Sequence, residues 1–245
     1  MAALSLSPFS LLEEPSPTDL SCSLLQLLGI RVTVSGRQRI PYNTPIMVVS
    51  NHRSALDAPV LMTGLDQDIA FVCHQYMEHV PVLKDVVHRF GAFPLDSPRQ
   101  LFRQGCQHLR QHTPVGIFPE GARSMVQVQP PRHVSSFHRG FAHLALRAPL
   151  EKLALLPVAI VSDDKGFESP IPLSLLGWFD PSEPLFQQGG GHPIVFYRQV
   201  EVKVGEPIWV TPSDRQQYQG RHGPEFAQQL ADSCWAVVHD LLQER

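Results

Sequence analysis

The chain has 245 residues, of which 43% are hydrophobic and 18% charged, and a formal net charge of −3. This apolar fraction excludes general disorder, and the length suffices for one α/β domain with a sizeable core. A charge so near neutrality excludes a chain-wide nucleic-acid-binding field.

Residues 1–17 mix Ser, Pro and Leu and read as an extended tail. A short helix is expected from Thr18, with Leu20, Leu24, Leu27 and Leu28 on one face. Together with Leu4, Leu6, Phe9, Leu11 and Leu12, that face fits either a bilayer interface or packing on the domain. Ile46–Ser50 is an apolar, β-branched run and reads as a buried strand. A helix is expected from Ser54 through Thr63, closed by Gly64. Ile69–Cys73 is a second buried strand, and Pro81–Phe90 a helix closed by Gly91. A short strand near Ala92–Leu95, a helix from Pro98 to His112 and a strand at Val115–Phe118 follow.

After a loop to Ser136, a helix is expected at Arg139–Leu146 and an apolar strand at Leu153–Val161. Ile171–Gly191 is rich in Pro and Gly and reads as an irregular insertion. Its Leu175, Leu176, Trp178 and Phe179 suit membrane contact, a lid or core. Gln199–Val204 alternates like a strand near the sheet edge, and Pro224–Glu244 closes the chain as a helix with one apolar stripe. Alternating strands and helices predict a single α/β domain with a mostly parallel sheet flanked by helices. Residues 1–30 form the tail and first helix, and 31–245 the domain with its C-terminal helix.

No apolar run approaches the ~18–20 residues that span a bilayer; the longest, Leu153–Val161, contains Pro157. The N-terminus lacks a basic start, so no secretory signal is expected. Four cysteines without paired spacing argue against a disulfide framework or zinc ribbon and fit a reducing compartment. His108 and His112 have the spacing of helical metal ligands, but no Glu or Cys set accompanies them, and no metal is expected. Between Ser97 and Leu150 lie seven arginines and a single acid, Glu120. Arginine suits forked contact with phosphate or carboxylate oxygens, so this segment is either a solvated basic face or holds an anionic head group.

Parallel sheets place their sites outside the carboxyl ends of strands. Two such ends here carry reactive residues, Asn51-His52-Arg53-Ser54-Ala55-Leu56-Asp57 and Phe118-Pro119-Glu120-Gly121-Ala122-Arg123-Ser124. A neutral imidazole suits removal of a proton from a hydroxyl, and a carboxylate on its other nitrogen fixes the tautomer. With twelve His and twelve Asp in 245 residues, roughly 0.6 such spacings arise by chance, so the pair alone is weak. No G-x-S-x-G nucleophile elbow occurs, which points to a substrate hydroxyl as the activated group.

The combination of N-H-x-x-x-x-D and F-P-E-G-x-R-S, each after a buried strand, resembles the glycerolipid acyltransferase family, whose best-known bacterial members are 1-acylglycerol-3-phosphate acyltransferases. The likeness runs from about Leu28 to Gly205. It includes Gly29–Gly36, Val48–Pro59, Phe71–Asp96, Phe118–Ser124, Phe137–Gly140 and Leu156–Ile160. It implies that His52 acts as general base on an acceptor hydroxyl and that Asp57 orients it. It further implies that Glu120, Gly121 and Arg123 bind the acceptor, with Arg139 and Gly140 as a second loop motif.

The implied partners are a membrane lipid acceptor and an acyl carrier protein or coenzyme A thioester, with no other cofactor. The implied location is peripheral, on the cytoplasmic side of a membrane. Family members commonly carry Lys at the position of His74, Glu at Tyr76, Arg at Ser97 and Thr at Ala122. These departures remove two basic residues that the resemblance implies help hold the acceptor's phosphate, for which Arg99, two residues on from Ser97, or a protonated His74 is the substitute in this sequence. Another lysolipid acceptor, a thioesterase or lipid hydrolase, and a non-catalytic lipid-binding module are the alternatives.

Overall fold

The structure is a computed structural model that describes residues 14–79, 81–95, 97–121, 127–172, 174, 178 and 190–244. The first helix, α1 (Pro17–Leu27), starts at a capping box in which Ser16 and Asp19 satisfy each other's backbone N–H groups. Then come β1 (Arg31–Ser35), β2 (Ile46–Ser50), α2 (Asp57–Leu65), β3 (Ala70–His74), α3 (Tyr76–His79), α4 (Pro81–Arg89) and β4 (Phe93–Leu95). The middle of the chain supplies α5 (Pro98–Arg110), β5 (Val115–Ile117), α6 (Gly140–Arg147) and β6 (Leu153–Val161). The remainder forms β7 (Phe167–Pro172), β8 (Gly191–Ile194), β9 (Gln199–Val204), β10 (Ile208–Val210), α7 (Pro212–Gln217) and α8 (Gly223–Gln243).

Eight strands form one sheet in the order β1-β9-β6-β2-β5-β3-β4, with β10 also paired to β6. Strands β2 to β6 are mutually parallel, whereas β9 and β10 run antiparallel to β6, and β1 is parallel to β9. The alternating pleat divides the core between the two faces. Met47 and Val49 of β2 and Leu155 and Ala159 of β6 pack with Leu109 of α5, Leu144 of α6 and Val238 of α8. Ile46, Val48, Leu156 and Ile160 face the other way, against Leu25 of α1, Leu61 and Met62 of α2 and Val202 of β9. All nine residues of β6 are buried, as a strand covered on both faces requires.

The α/β class, the mostly parallel sheet and the helices on both faces agree with the sequence reading. Gln199–Val204 lies one strand in from the sheet edge, with β1 paired outside it, in keeping with its alternation. Its alternation follows its two faces. Val200, Val202 and Val204 are buried, while on the opposite face Lys203 donates to the Glu244 carbonyl at 2.8 Å. Strands β1 and β10 lie outside the expected set; both are short and only partly buried.

The insertion is framed by an antiparallel pair, β7 and β8. Leu175, Leu176 and Phe179 lie outside the described residues, and Trp178 is exposed. Helix α1 buries Ser21 and Leu25 while Leu27 and Leu28 face outward; Leu4, Leu6, Phe9, Leu11 and Leu12 lie outside the described residues. His112 falls beyond α5 with a left-handed φ of 59°, so it does not share a helical face with His108. Among the described residues no helix is long and apolar enough to cross a membrane.

Gly64 does not end its helix. Helix α2 continues to Leu65, and Asp66 takes the left-handed turn at φ 56°. Gly64 is small for packing reasons, since a Cβ there would lie 2.7 Å from Val202 Cγ2. Gly64→Ala is expected to push α2 off β9 and to cost about 1–3 kcal/mol of unfolding free energy in a urea titration, despite the helix-favouring side chain.

Candidate active site

Because β2 to β6 are parallel, their carboxyl ends open on one edge, with β2 between β5 and β6. Asn51 ends the β2 pairing there. Its Oδ1 accepts the Ile160 N–H at 2.8 Å, and its Nδ2 donates to the Ile160 carbonyl at 3.1 Å. The side-chain amide thus takes over the pairing that the backbone would have made, and the chain is free to leave the sheet.

His52 follows immediately. Its Nδ1 lies 2.9 Å from Asp57 Oδ2, and Asp57 has no exposed surface. A carboxylate accepts only, so Nδ1 carries the proton and Nε2 the lone pair. Among the described residues Nε2 has no hydrogen-bond partner. The ring stacks on Phe118 with centroids 4.3 Å apart, and Phe118 stacks on Phe71 at 5.3 Å. One edge and one face of the imidazole are therefore held, and the side chain keeps 21% of its surface exposed.

Four donors converge on Asp57. Besides His52, Oδ2 accepts the backbone N–H groups of Arg53 at 2.6 Å and Ser54 at 2.8 Å. Oδ1 accepts the Tyr197 hydroxyl at 2.5 Å. Asp57 also occupies the first turn of α2, where the helix dipole favours a negative charge. Burial and the adjacent Asp57 raise the pKa of the Tyr197 hydroxyl well above the usual value, so it stays a donor.

The second loop meets the first through Glu120. Its Oε1 accepts the His52 N–H at 2.8 Å, and its Oε2 accepts the Ser135 N–H at 2.7 Å. The carboxylate is buried in the wall of the site, joining three stretches of backbone. Gly121 has φ 70°, and a Cβ there would come within 3.1 Å of the His138 ring. The His138 N–H donates to the Pro119 carbonyl at 2.8 Å, which docks the 137–140 motif on this loop.

The other expected residues are placed as follows. Arg139 is exposed and reaches the Pro224 carbonyl at 3.3 Å, at the start of α8, and Gly140 begins α6 in open space. Arg123 and Ala122 lie outside the described residues. Ser97 caps α5 by accepting the Gln100 N–H, His74 ends β3, and Arg99 is exposed in the first turn of α5. Cys73 is an inert thiol, pushed up to about 12 by burial. Among the described residues no group of three or more His, Cys, Asp or Glu converges on a metal position.

Two residues escaped the sequence reading. Arg53 is 5% exposed and donates to the carbonyls of Ser162 at 3.2 Å, Gln129 at 3.3 Å and Asp164 at 2.9 Å. Its place inside the first motif was the available signal. Tyr197 lies 140 positions from Asp57 and carries no local signature.

At the carboxyl edge of a parallel sheet, a buried carboxylate thus holds a partly exposed imidazole, an arrangement able to accept a proton from a hydroxyl. The Acyltransferase family model matches residues 31–161, more than half of the chain and all of β2 to β6, and the chain belongs to that family. It is 28% identical over 137 residues, 54% of its length, to the 1-acyl-sn-glycerol-3-phosphate acyltransferase of Pseudomonas aeruginosa. The match spans 49% of that curated relative. The fold is that of the 1-acyl-sn-glycerophosphate acyltransferase of Thermotoga maritima, with TM-score 0.59 and 19% identity, over 93% of this chain and 77% of that one.

Burial raises the pKa of Glu120 above the usual carboxylate value, against the opposing effect of its two backbone donors and His52. A raised folded-state pKa contributes stability that is complete below the unfolded value, about 4.3, and is lost as pH rises through the folded value. The stability advantage of the wild type over Glu120→Gln is therefore expected to be smaller at pH 7 than at pH 4, measured by urea unfolding. An equal or larger advantage at pH 7 contradicts the assignment.

Proposed function

We propose that this protein transfers a fatty acyl group from an acyl thioester to the hydroxyl of a lysophospholipid. The first acceptor is 1-acylglycerol-3-phosphate and the product phosphatidic acid. The observation that carries this reading is the His52 ring, with Nδ1 committed to Asp57 and Nε2 left without a partner among the described residues. The family and the named activity of the Pseudomonas aeruginosa relative supply the reaction class.

The chemistry needs no covalent acyl-enzyme. His52 Nε2 takes the proton of the acceptor hydroxyl as its oxygen attacks the thioester carbonyl carbon. Asp57 stabilises the imidazolium that forms. The tetrahedral intermediate collapses with cleavage of the carbon–sulfur bond, and the imidazolium returns its proton to the departing thiolate of acyl carrier protein or coenzyme A. The stack on Phe118 keeps the ring from swinging away between the two proton transfers. Glu120 and Gly121 shape the opposite wall, where Arg123 is the expected contact for the acceptor's phosphate. Arg99, exposed beyond the end of β4, supplies a second cation on the same edge. An acceptor of this kind resides in a bilayer, so the protein works at a membrane surface, on its cytoplasmic side.

Purified protein is tested with acyl carrier protein and coenzyme A thioesters against a panel of lysolipids, with His52→Ala alongside. The expected result is diacylated product from lysophosphatidic acid and a loss of at least about 100-fold in His52→Ala, with an unchanged circular dichroism spectrum. Product from a different lysolipid alone reassigns the acceptor. Free fatty acid released at the same rate without acceptor points to hydrolysis, and a wild-type rate in His52→Ala overturns the general-base role.

A further inference from the structure

We propose that Tyr197 is a positioning residue for the His52–Asp57 pair, setting through its hydroxyl both the orientation of the Asp57 carboxylate and how firmly that carboxylate holds the imidazolium. The proposal rests on His52 being the general base. It concerns a residue outside both sequence motifs, on the segment between β8 and β9.

The two oxygens of Asp57 are chemically equivalent until their partners differ. Oδ2 takes His52, Arg53 and Ser54, which leaves Oδ1 buried with the Tyr197 hydroxyl as its hydrogen-bond partner. A buried carboxylate oxygen without a donor is costly, and rotation of the carboxylate toward another donor would relieve it at the expense of the His52 contact. Tyr197 removes that option. It is itself 3% exposed and clamped on both sides: the Val195 carbonyl accepts the Ser54 hydroxyl at 2.8 Å, and the Arg198 N–H donates to Asp164 at 2.8 Å. The Arg198 carbonyl accepts from Arg31, the first residue of β1. The phenol is therefore anchored to the sheet and aimed at the carboxylate.

The hydroxyl also shares the negative charge of Asp57. Without it the whole charge acts on the imidazolium, and the acid limb of the rate profile moves upward. The other charged groups beside the pair, Glu120 from the loop after β5, Arg53 on the catalytic loop and Asp164 after β6, are retained when only the hydroxyl is removed. A shift thus reads Tyr197 alone.

Tyr197→Phe keeps the ring and deletes the hydroxyl. Steady-state rates are measured from pH 5 to 9 for wild type and variant, with thermal unfolding as a check on the fold. The expected result is a fall in kcat of about tenfold or more, little change in either KM, and an acid limb displaced upward by about half a pH unit. Unchanged kcat and acid limb overturn the proposal. So does a rise in KM at constant kcat, which would make Tyr197 a substrate contact, or a fall in kcat with an unmoved acid limb, which would make its role structural. Independently of any substrate, the downfield proton resonance of the His52 Nδ1–H, assigned by its loss in His52→Ala, is expected to move in Tyr197→Phe. An unmoved resonance overturns the proposal even where the acceptor assignment fails, and a moved one sustains it there.

Discussion

A carboxylate with no exposed surface is the constraint around which the edge of this sheet is organised. Left alone, Asp57 would be too costly to bury in ionised form. It is stabilised by two backbone N–H groups from its own loop, an imidazole N–H and a phenol, and the helix whose first turn it occupies adds a favourable dipole. Each of these donors is thereby fixed in place. The loop that carries His52 has its conformation because Arg53 and Ser54 must point their amides inward. The segment after β8 runs where it does because Tyr197 must reach the same atoms.

Glu120 and Arg53 extend this logic with opposite charges. The buried anion gathers backbone donors, the N–H groups of His52 and Ser135, and the buried cation gathers backbone acceptors, the carbonyls of Gln129, Ser162 and Asp164. These contacts are made mainly to backbone groups, so they hold the paths of the loops. The framework around the imidazole is tied together through backbone groups for this reason. At the same edge Arg99 is exposed, and Ser97 is engaged as a helix cap.

Much of this was legible from the residues. The apolar runs at Ile46–Ser50 and Leu153–Val161 announced strands buried on both faces, and both motifs followed such strands, so their convergence on one edge came from topology. What was hidden depends on distance along the chain or on packing volume. Tyr197 meets Asp57 only because β9 returns beside β6, a pairing that no local pattern encodes. Gly64 looked like a helix terminator because a glycine near the end of a run usually is one, yet Val202 is what requires it. Alternation in Gln199–Val204 pointed to a place near the edge, where it lies, but not to its particular faces, one under α2 and the other holding Lys203 against the Glu244 carbonyl.

The long central strand β6 has one further consequence, for the order in which the protein assembles. One side of β6 pairs with β2, made early, and the other with β10 along its first third and β9 along its last. Until the ribosome has released residues 199–210, that second side is an open, nine-residue apolar edge, the kind of surface that recruits other chains. The same late segment delivers Tyr197. Maturation of the reactive edge and protection from aggregation are therefore a single event, completed only when the last fifth of the chain folds back onto a strand built well before it.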